Sequence, residues 1–477
     1  MTKNNIHIYL VIACMPLIFQ ACTIPDSTQR KANTVVPESY SGSRDSSNMA
    51  SIKWKDFFND PYLAALIDTA LNNNQELNIV LQEINIAQNE VRASKGEYLP
   101  FVHLGAEAGA DKVGSYTRDG AVEHNLEIKP GEEFPEPLTD FLLAARVSWE
   151  LDIWKKLRNA KKAATFRYLA SVEGKNFMVT NLVAEIANSY YELLALDNQL
   201  TLVTRNIEIQ QNALRIVRLQ KDAARVTELA VRKFEAEVLK NQSSRFYIQQ
   251  QIVETENRIN FLVGRLPQPV QRDSQVFDDA IKNPVAPGIP SQLLQKRPDI
   301  MQAEMELSAA KLDVKVARAR FYPSLDISAG MGYQAFNPAF LITTPESMIY
   351  NLAGGLMVPL INRNEIKAAY NSANAKQLQA VHNYERSILN AVVEVTNQLS
   401  KIDNLGKSYD LKSKQVQALT QSITISTNLF RSAKADYMEV LMTQRDALEA
   451  KMELIETRKD QLNALVNMYQ ALGGGWN

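Results

Sequence analysis

Cysteine is nearly absent from this chain. Only Cys14 and Cys22 occur in 477 residues, too few for a disulfide framework. Histidine is almost as scarce, and His7, His103, His124 and His382 are scattered without metal-ligand spacing. No glycine-rich phosphate loop and no nucleophile elbow is present, so an enzyme reading has no residues to stand on. An excess of one charge is also missing. Lys and Arg number 52 against 53 Asp and Glu, which excludes the basic field that nucleic-acid binding needs. Beyond the N-terminus no stretch is apolar enough to cross a bilayer as a helix. Any membrane-spanning part must therefore be a closed β-barrel, the other structure that satisfies every backbone group in lipid.

What is there begins at the N-terminus. Lys3 supplies a weakly positive start, Ile6 to Phe19 is an apolar run, and Phe19-Gln20-Ala21-Cys22 resembles a bacterial lipobox. The run is shorter than the ~20 residues of a spanning helix, so it reads as a removable signal. Residues 1–21 are then the signal peptide, and Cys22 is the lipidation site. Residues 22–51, rich in Ser, Thr, Asn and Pro, suit an extended tether.

From residue 52 onward Gln, Asn, Ala, Leu and Glu dominate, a composition that favours long helices. One order of segments occurs twice, in 52–290 and in 291–477. A helix capped by Asp60-Pro61 runs from about Tyr62 to Glu97 and stops at Tyr98-Leu99-Pro100, because the residue before proline is pushed to extended geometry. Its counterpart opens at Pro298-Asp299 and stops at Phe321-Tyr322-Pro323. After each proline the period changes to two. Val102, Leu104, Ala106 and Ala108, and later Leu325, Ile327, Ala329, Met331 and Tyr333, alternate with polar or small residues. Second alternating runs are Leu143 to Leu151 and Leu352 to Leu360. The spacing predicts four strands near 100–110, 140–151, 324–334 and 349–360, each the ~10 residues of a tilted transmembrane strand.

Each hairpin feeds a long helix. One runs from about Leu157 to Lys221, with Val179, Leu182, Ile186, Tyr190 and Leu193 on one stripe. The other runs from Arg363 to about Phe430, where Val395, Ile402, Tyr409, Val416, Ile423 and Phe430 fall every seven residues. Such a helix is ~100 Å long at 1.5 Å per residue. Return helices follow at Glu228 to Val263 and Tyr437 to Leu472. The halves match at an offset of 223 at the prolines (Pro323 against Pro100) and 209 at the long helices (Ile366 against Leu157). The first hairpin connection is therefore 14 residues longer. A tandem duplication accounts for this.

Four strands cannot close a barrel alone, since single-chain outer-membrane barrels start at about eight. Open edges in lipid are costly, and a symmetric ring removes them. The expected fold is thus an α+β membrane protein. Its homotrimer is a 12-stranded β-barrel, four strands per chain, continued by a long α-helical barrel.

Several separate motifs now carry a resemblance. Trp54-Lys55-Asp56-Phe57-Phe58-Asn59-Asp60-Pro61, Ser148-Trp149-Glu150-Leu151-Asp152-Ile153-Trp154, Leu294-Gln295-Lys296-Arg297-Pro298-Asp299-Ile300 and Ala471-Leu472-Gly473-Gly474-Gly475-Trp476 stand in the order of the outer membrane factor family. Nearly the whole mature chain resembles the TolC-like efflux lipoproteins of NodT/OprM type. The resemblance implies a passive duct carrying drugs or other toxic compounds from periplasm to exterior. It implies a periplasmic adaptor (membrane fusion) protein and an inner-membrane pump of resistance-nodulation-division type as partners. It also implies a lipid-anchored outer-membrane location with a long periplasmic extension. The alternative of the same fold is an exit duct for type I protein secretion; a periplasmic coiled-coil scaffold without a pore is a third reading.

The resemblance places the periplasmic aperture and adaptor dock at the two turns between long and return helices. Here the corresponding residues include Ala224, Arg225, Thr227, Lys434, Asp436, Tyr437 and Glu439. Family turns usually carry glycine where Ala224 and Ala433 stand, and often an acid near Met442. The resemblance implies no catalytic residue, cofactor or metal.

Overall fold

The computed structural model describes residues 30–40, 46–279, 285–361, 363–432 and 434–476. The signal segment, Cys22 and Ala433 lie outside them. The main helices are α1 (Pro61–Asn73), α2 (Gln75–Glu97), α3 (Arg118–Asn125), α4 (Lys156–Asp222), α5 (Glu228–Leu262), α6 (Pro298–Ala319), α7 (Asn364–Arg431) and α8 (Tyr437–Ala471). The strands are β1 (Phe101–Asp111), β2 (Glu127–Lys129), β3 (Glu132–Glu133), β4 (Leu138–Leu151), β5 (Ser324–Ala335) and β6 (Met348–Met357). No helix among the described residues is long and apolar enough to cross a membrane.

The chain forms two compact units, one containing residues 86–168 and 306–381 and the other residues 32–85, 169–305 and 382–477. Each unit draws on both halves of the sequence.

The first unit holds an antiparallel sheet in the order β1-β4-β5-β6. Its register sorts the alternating residues onto two faces. Val102 lies opposite Val147, Leu104 opposite Ala145, Ala106 opposite Leu143; Leu143 then meets Tyr333, Trp149 meets Ile327, and Leu325 meets Leu356. Directly paired residues share a face, so every apolar residue of the alternation lies on one side. Much of that side is bare, with Leu104, Tyr350 and Leu352 nearly four-fifths exposed. The other side is polar and tied across strands. Arg146 is 3.0 Å from Glu107, and the Gln334 amide donates to Asp140 at 2.8 Å. The two hairpin connections are 26 and 12 residues long, which locates the 14-residue difference between the halves. Strand β6 stops at Met357 instead of reaching residue 360, because Pro359 has no N–H for a ladder. Below the sheet, Phe321 packs edge-on against Tyr370 at 5.7 Å, with Ala317 and Ile366 around them.

In the second unit the α4 stripe forms the core: Ile186, Tyr190 and Leu193 are completely buried. The Tyr190 hydroxyl donates to Asp60 at 2.7 Å, and the other Asp60 oxygen accepts from the Tyr62 N–H at 2.8 Å, capping α1. Phe57 stacks on Tyr469 of α8 at 4.2 Å, and the Tyr469 hydroxyl donates to the Ile52 carbonyl. Met49 and Ala50 are already buried, so packing begins slightly before residue 52.

The expected single helix from Tyr62 to Glu97 is two helices. Asn74 breaks it, adopting extended geometry and accepting from the Leu77 N–H at 2.8 Å while its amide donates to Leu262 at 2.8 Å. A buried asparagine offering the backbone its own cap outcompetes continuation of the helix. Arg297, which precedes the helix start at Pro298, is 5 % exposed and ties three elements together. It binds Asp299 through two nitrogens (2.9 and 2.7 Å), Glu394 on α7 at 2.7 Å, and the Ala471 carbonyl ending α8 at 2.8 Å. Burial opposes its charge, but hydrogen bonds and attraction from Asp299 and Glu394 outweigh that and hold its pKa above the ordinary value.

Candidate functional site

Each long helix reverses into its return helix through a short turn, and both turns belong to the second unit. At the first turn the Arg225 N–H donates to Gln220 O and the Ala224 N–H to Lys221 O, both at 2.8 Å. These bonds form a Schellman closure, which needs a left-handed residue. Ala224 takes that place at φ +57°, a conformation that favours glycine. The backbone reversal is therefore kept, with the strain of a Cβ in the left-handed region. At the second turn the Lys434 N–H donates to Leu429 O at 2.9 Å, the matching long-range bond of such a closure.

The side chains expected at the aperture separate into two groups. Arg225, Thr227, Lys434, Asp436 and Glu439 are exposed, and Ala224 with them. Thr227 and Asp436 occupy the N-cap positions of α5 and α8, yet neither side chain makes a cap bond. Among the described residues Arg225, Lys434, Asp436 and Glu439 form no ion pair. They remain available to other chains.

Tyr437 faces the other way. With Val226 and Met438 it packs on an apolar cluster of Leu214, Val217, Val231, Phe234 and Leu441; the Tyr437 and Phe234 rings lie 6.5 Å apart. The cluster draws on α4, α5 and α8, so the two turns share one core. Farther along α4 lies a second cluster containing Leu196, Val203 and Ile207. Between them on α4, Gln210 accepts from the Asn241 amide at 2.8 Å.

An ion-pair chain across the first turn was not read from the sequence. Lys221 lies 2.9 Å from Glu228, and Glu228 lies 2.9 Å from Arg232, itself 2.9 Å from Glu235. The signal was opposite charges bracketing the turn at Lys221 and Glu228. A hydrogen bond and attraction from Lys221 hold the Glu228 carboxyl below the usual glutamate range. Beside the second turn, Glu439, Met442, Thr443 and Asp446 of α8 face Ser422, Ser426 and Leu429 of α7 across a groove of about 390 Å³. Among the described residues no cluster of His, Cys, Asp and Glu could hold a metal ion.

A sheet with one bare apolar face, joined by its strands to very long helices, defines a protomer of an outer-membrane channel. The chain belongs to the family described as outer membrane efflux protein, whose pattern matches residues 66–265 and 289–474. The pyoverdine export outer membrane protein OpmQ of Pseudomonas aeruginosa is 27% identical over 427 residues, covering 89% of this chain and 87% of that one. The cation efflux system protein CusC of Escherichia coli is 26% identical over 471 residues, covering 97% and 98%. Among solved structures, the open state of the Neisseria gonorrhoeae MtrE outer membrane channel superposes with a TM-score of 0.83 at 22% identity, covering 95% of this chain and 98% of that one. The protein is an efflux channel component of the outer membrane, and its family consists of channel proteins.

Proposed function

We propose that three copies of this chain close into a passive duct from periplasm to exterior. In the duct, β1 of one protomer pairs with β6 of the next. The carrying observation is the four-stranded sheet with one apolar face, whose outer strands β1 and β6 each pair with a single neighbour among the described residues. Unpaired edges in lipid cost several kcal/mol per group, so closure with neighbouring copies is favoured. The helices support the same reading. Leu239, Phe246 and Val253 recur every seven residues on α5 and are about half exposed or more, an apolar stripe that a lateral neighbour would cover.

In this duct the helix turns form the periplasmic aperture, with Ala224, Arg225, Thr227, Lys434, Asp436 and Glu439 presented to other chains and Tyr437 bracing them from behind. A periplasmic adaptor docks there, and an inner-membrane pump of resistance-nodulation-division type supplies energy. The duct has two tandem structural repeats, 52–290 and 291–477, and Cys22 carries the lipid that tethers it. Cargo is chosen by the pump. Pyoverdine, cations and toluene, the cargoes in the names of relatives, have little chemistry in common, which suits a duct that does not select.

Site-directed crosslinking of cysteines placed at Leu104 on β1 and Leu352 on β6, in native membranes, tests the closure. A ladder ending at three chains is expected; monomers alone would refute it. Mass spectrometry of the mature N-terminus should find diacylglycerol on Cys22, and an unmodified Cys22 peptide would remove the anchor from the proposal.

A further inference from the structure

At the end of the sheet where β4 and β6 run into helices and β5 leaves one, the first unit carries a cleft of about 480 Å³. A cavity of this size is in the range that holds small ligands. Its apolar lining includes Leu151, on the apolar side of the sheet opposite Leu325, with Val358 and Leu360 just past the end of β6. Ile153 and Ile361 lie exposed beside them, the latter at 90%. Trp154 stacks on Tyr322 at 4.6 Å, and its indole N–H donates to the Pro323 carbonyl at 2.8 Å. Tryptophan and tyrosine concentrate where hydrocarbon meets headgroups.

The two acids lining the cleft are each already paired, Glu150 within it and Asp152 with Arg158 outside it at 3.7 Å. Glu150 is neutralised by Lys156 at 2.6 Å. Asp152 is spent on the start of α4, accepting from the Leu157 and Arg158 N–H groups at 2.9 Å each. Arg320 also lines the cleft, is exposed, and makes no ion pair among the described residues. An apolar wall, an aromatic shelf and one uncompensated guanidinium therefore meet at the level where the apolar face ends.

We propose that this cleft holds the headgroup of an anionic phospholipid from the inner leaflet, with Arg320 on its phosphate and the acyl chains along the apolar sheet face. The guanidinium fork matches phosphate oxygens in geometry as well as charge. Continuity with the membrane-facing side of the sheet selects a lipid as occupant. The proposal rests on the membrane-spanning trimer above, and one cleft per protomer then fixes the height of the barrel in the bilayer.

Native mass spectrometry tests it with the full-length protein, reconstituted in nanodiscs of equal phosphatidylglycerol and phosphatidylcholine and released into mild detergent. The expected spectrum shows trimers retaining phosphatidylglycerol about five-fold over phosphatidylcholine, the preference one surface cation confers on an anionic lipid. Arg320→Gln should abolish that preference and Arg320→Lys should keep most of it. Arg318→Gln, two residues earlier in the last turn of α6 and outside the cleft lining, should behave as the parent protein. Equal retention of both lipids by the parent protein, or an undiminished preference in Arg320→Gln, overturns the proposal. A monomer mass in the same spectrum would instead refute the trimer.

Discussion

Replacing Arg297 with Met removes a buried charge while roughly keeping the side-chain volume. The Asp299 carboxylate, 19% exposed, loses both its hydrogen bonds from Arg297, and the Ala471 carbonyl loses the bond that ends α8. Removing one partner of a buried ion pair costs about 3–5 kcal/mol. Glu394 is 52% exposed and is rehydrated easily, so the lower end, about 3 kcal/mol, applies here. The loss falls locally on the junction of Pro298, α7 and the C-terminal turn, where a Cβ on Gly473 would lie 2.6 Å from the Lys296 carbonyl. Hydrogen exchange followed by mass spectrometry reads such local opening. Peptides covering 293–300 and 468–476 should exchange roughly a hundredfold faster, since each 1.4 kcal/mol is about tenfold. Peptides in the sheet should not change. Arg297→Lys should fall between, because an ammonium cannot bind Asp299 through two nitrogens and also reach Glu394 and the Ala471 carbonyl. Exchange within threefold of the parent protein in the C-terminal peptide would refute this account of Arg297.

Further expectations concern the turns. Arg225→Ala with Lys434→Ala should raise resting single-channel conductance in planar bilayers without loss of the trimer, because these are the basic residues nearest the like charges of three copies of Asp436 and Glu439; unchanged conductance would make them ordinary surface charges and leave closure to apolar packing. The Glu228 carboxyl is lowered in the folded state, so its bracing of the first turn is complete above the ordinary glutamate pKa and is lost as pH falls through the lowered value. Exchange in peptides 219–230 should therefore be pH-independent in its protection factor near neutrality and rise only in acid, and Glu228→Gln should reproduce the acid behaviour at neutral pH. Ala224→Gly should relieve the left-handed Cβ at φ +57° and stabilise the turn by up to ~1 kcal/mol, after the greater entropy of glycine is subtracted. Slower opening of the same peptides would show it, and faster opening would refute it.

Periodicity was enough to locate the strands and the long helices to within a few residues, because both are written in spacing. Period two survives in Val102 to Ala108 and Leu325 to Tyr333 whatever partner the strand takes, and a seven-residue stripe survives along α7. The Schellman turn after α4 was legible only through its place in the chain, since alanine stands where glycine announces such a turn. Other features depended on residues distant in sequence. Asn74 breaks a helix because the Leu262 carbonyl arrives to accept its amide. Arg297 is a helix-start residue by sequence and a three-way tie in space, because Glu394 and Ala471 come from other helices. Tyr437 neighbours the exposed Asp436 in sequence but is half-buried, because Phe234 of another helix packs against it. Local periodicity and capping chemistry are set by neighbours along the chain, so the sequence by itself determined the four long strands, the long helices and the turns between them. Which charges are cancelled, and which of them remain free to meet lipid or another chain, was decided only by the tertiary structure, because that depends on partners brought together across tens to hundreds of residues.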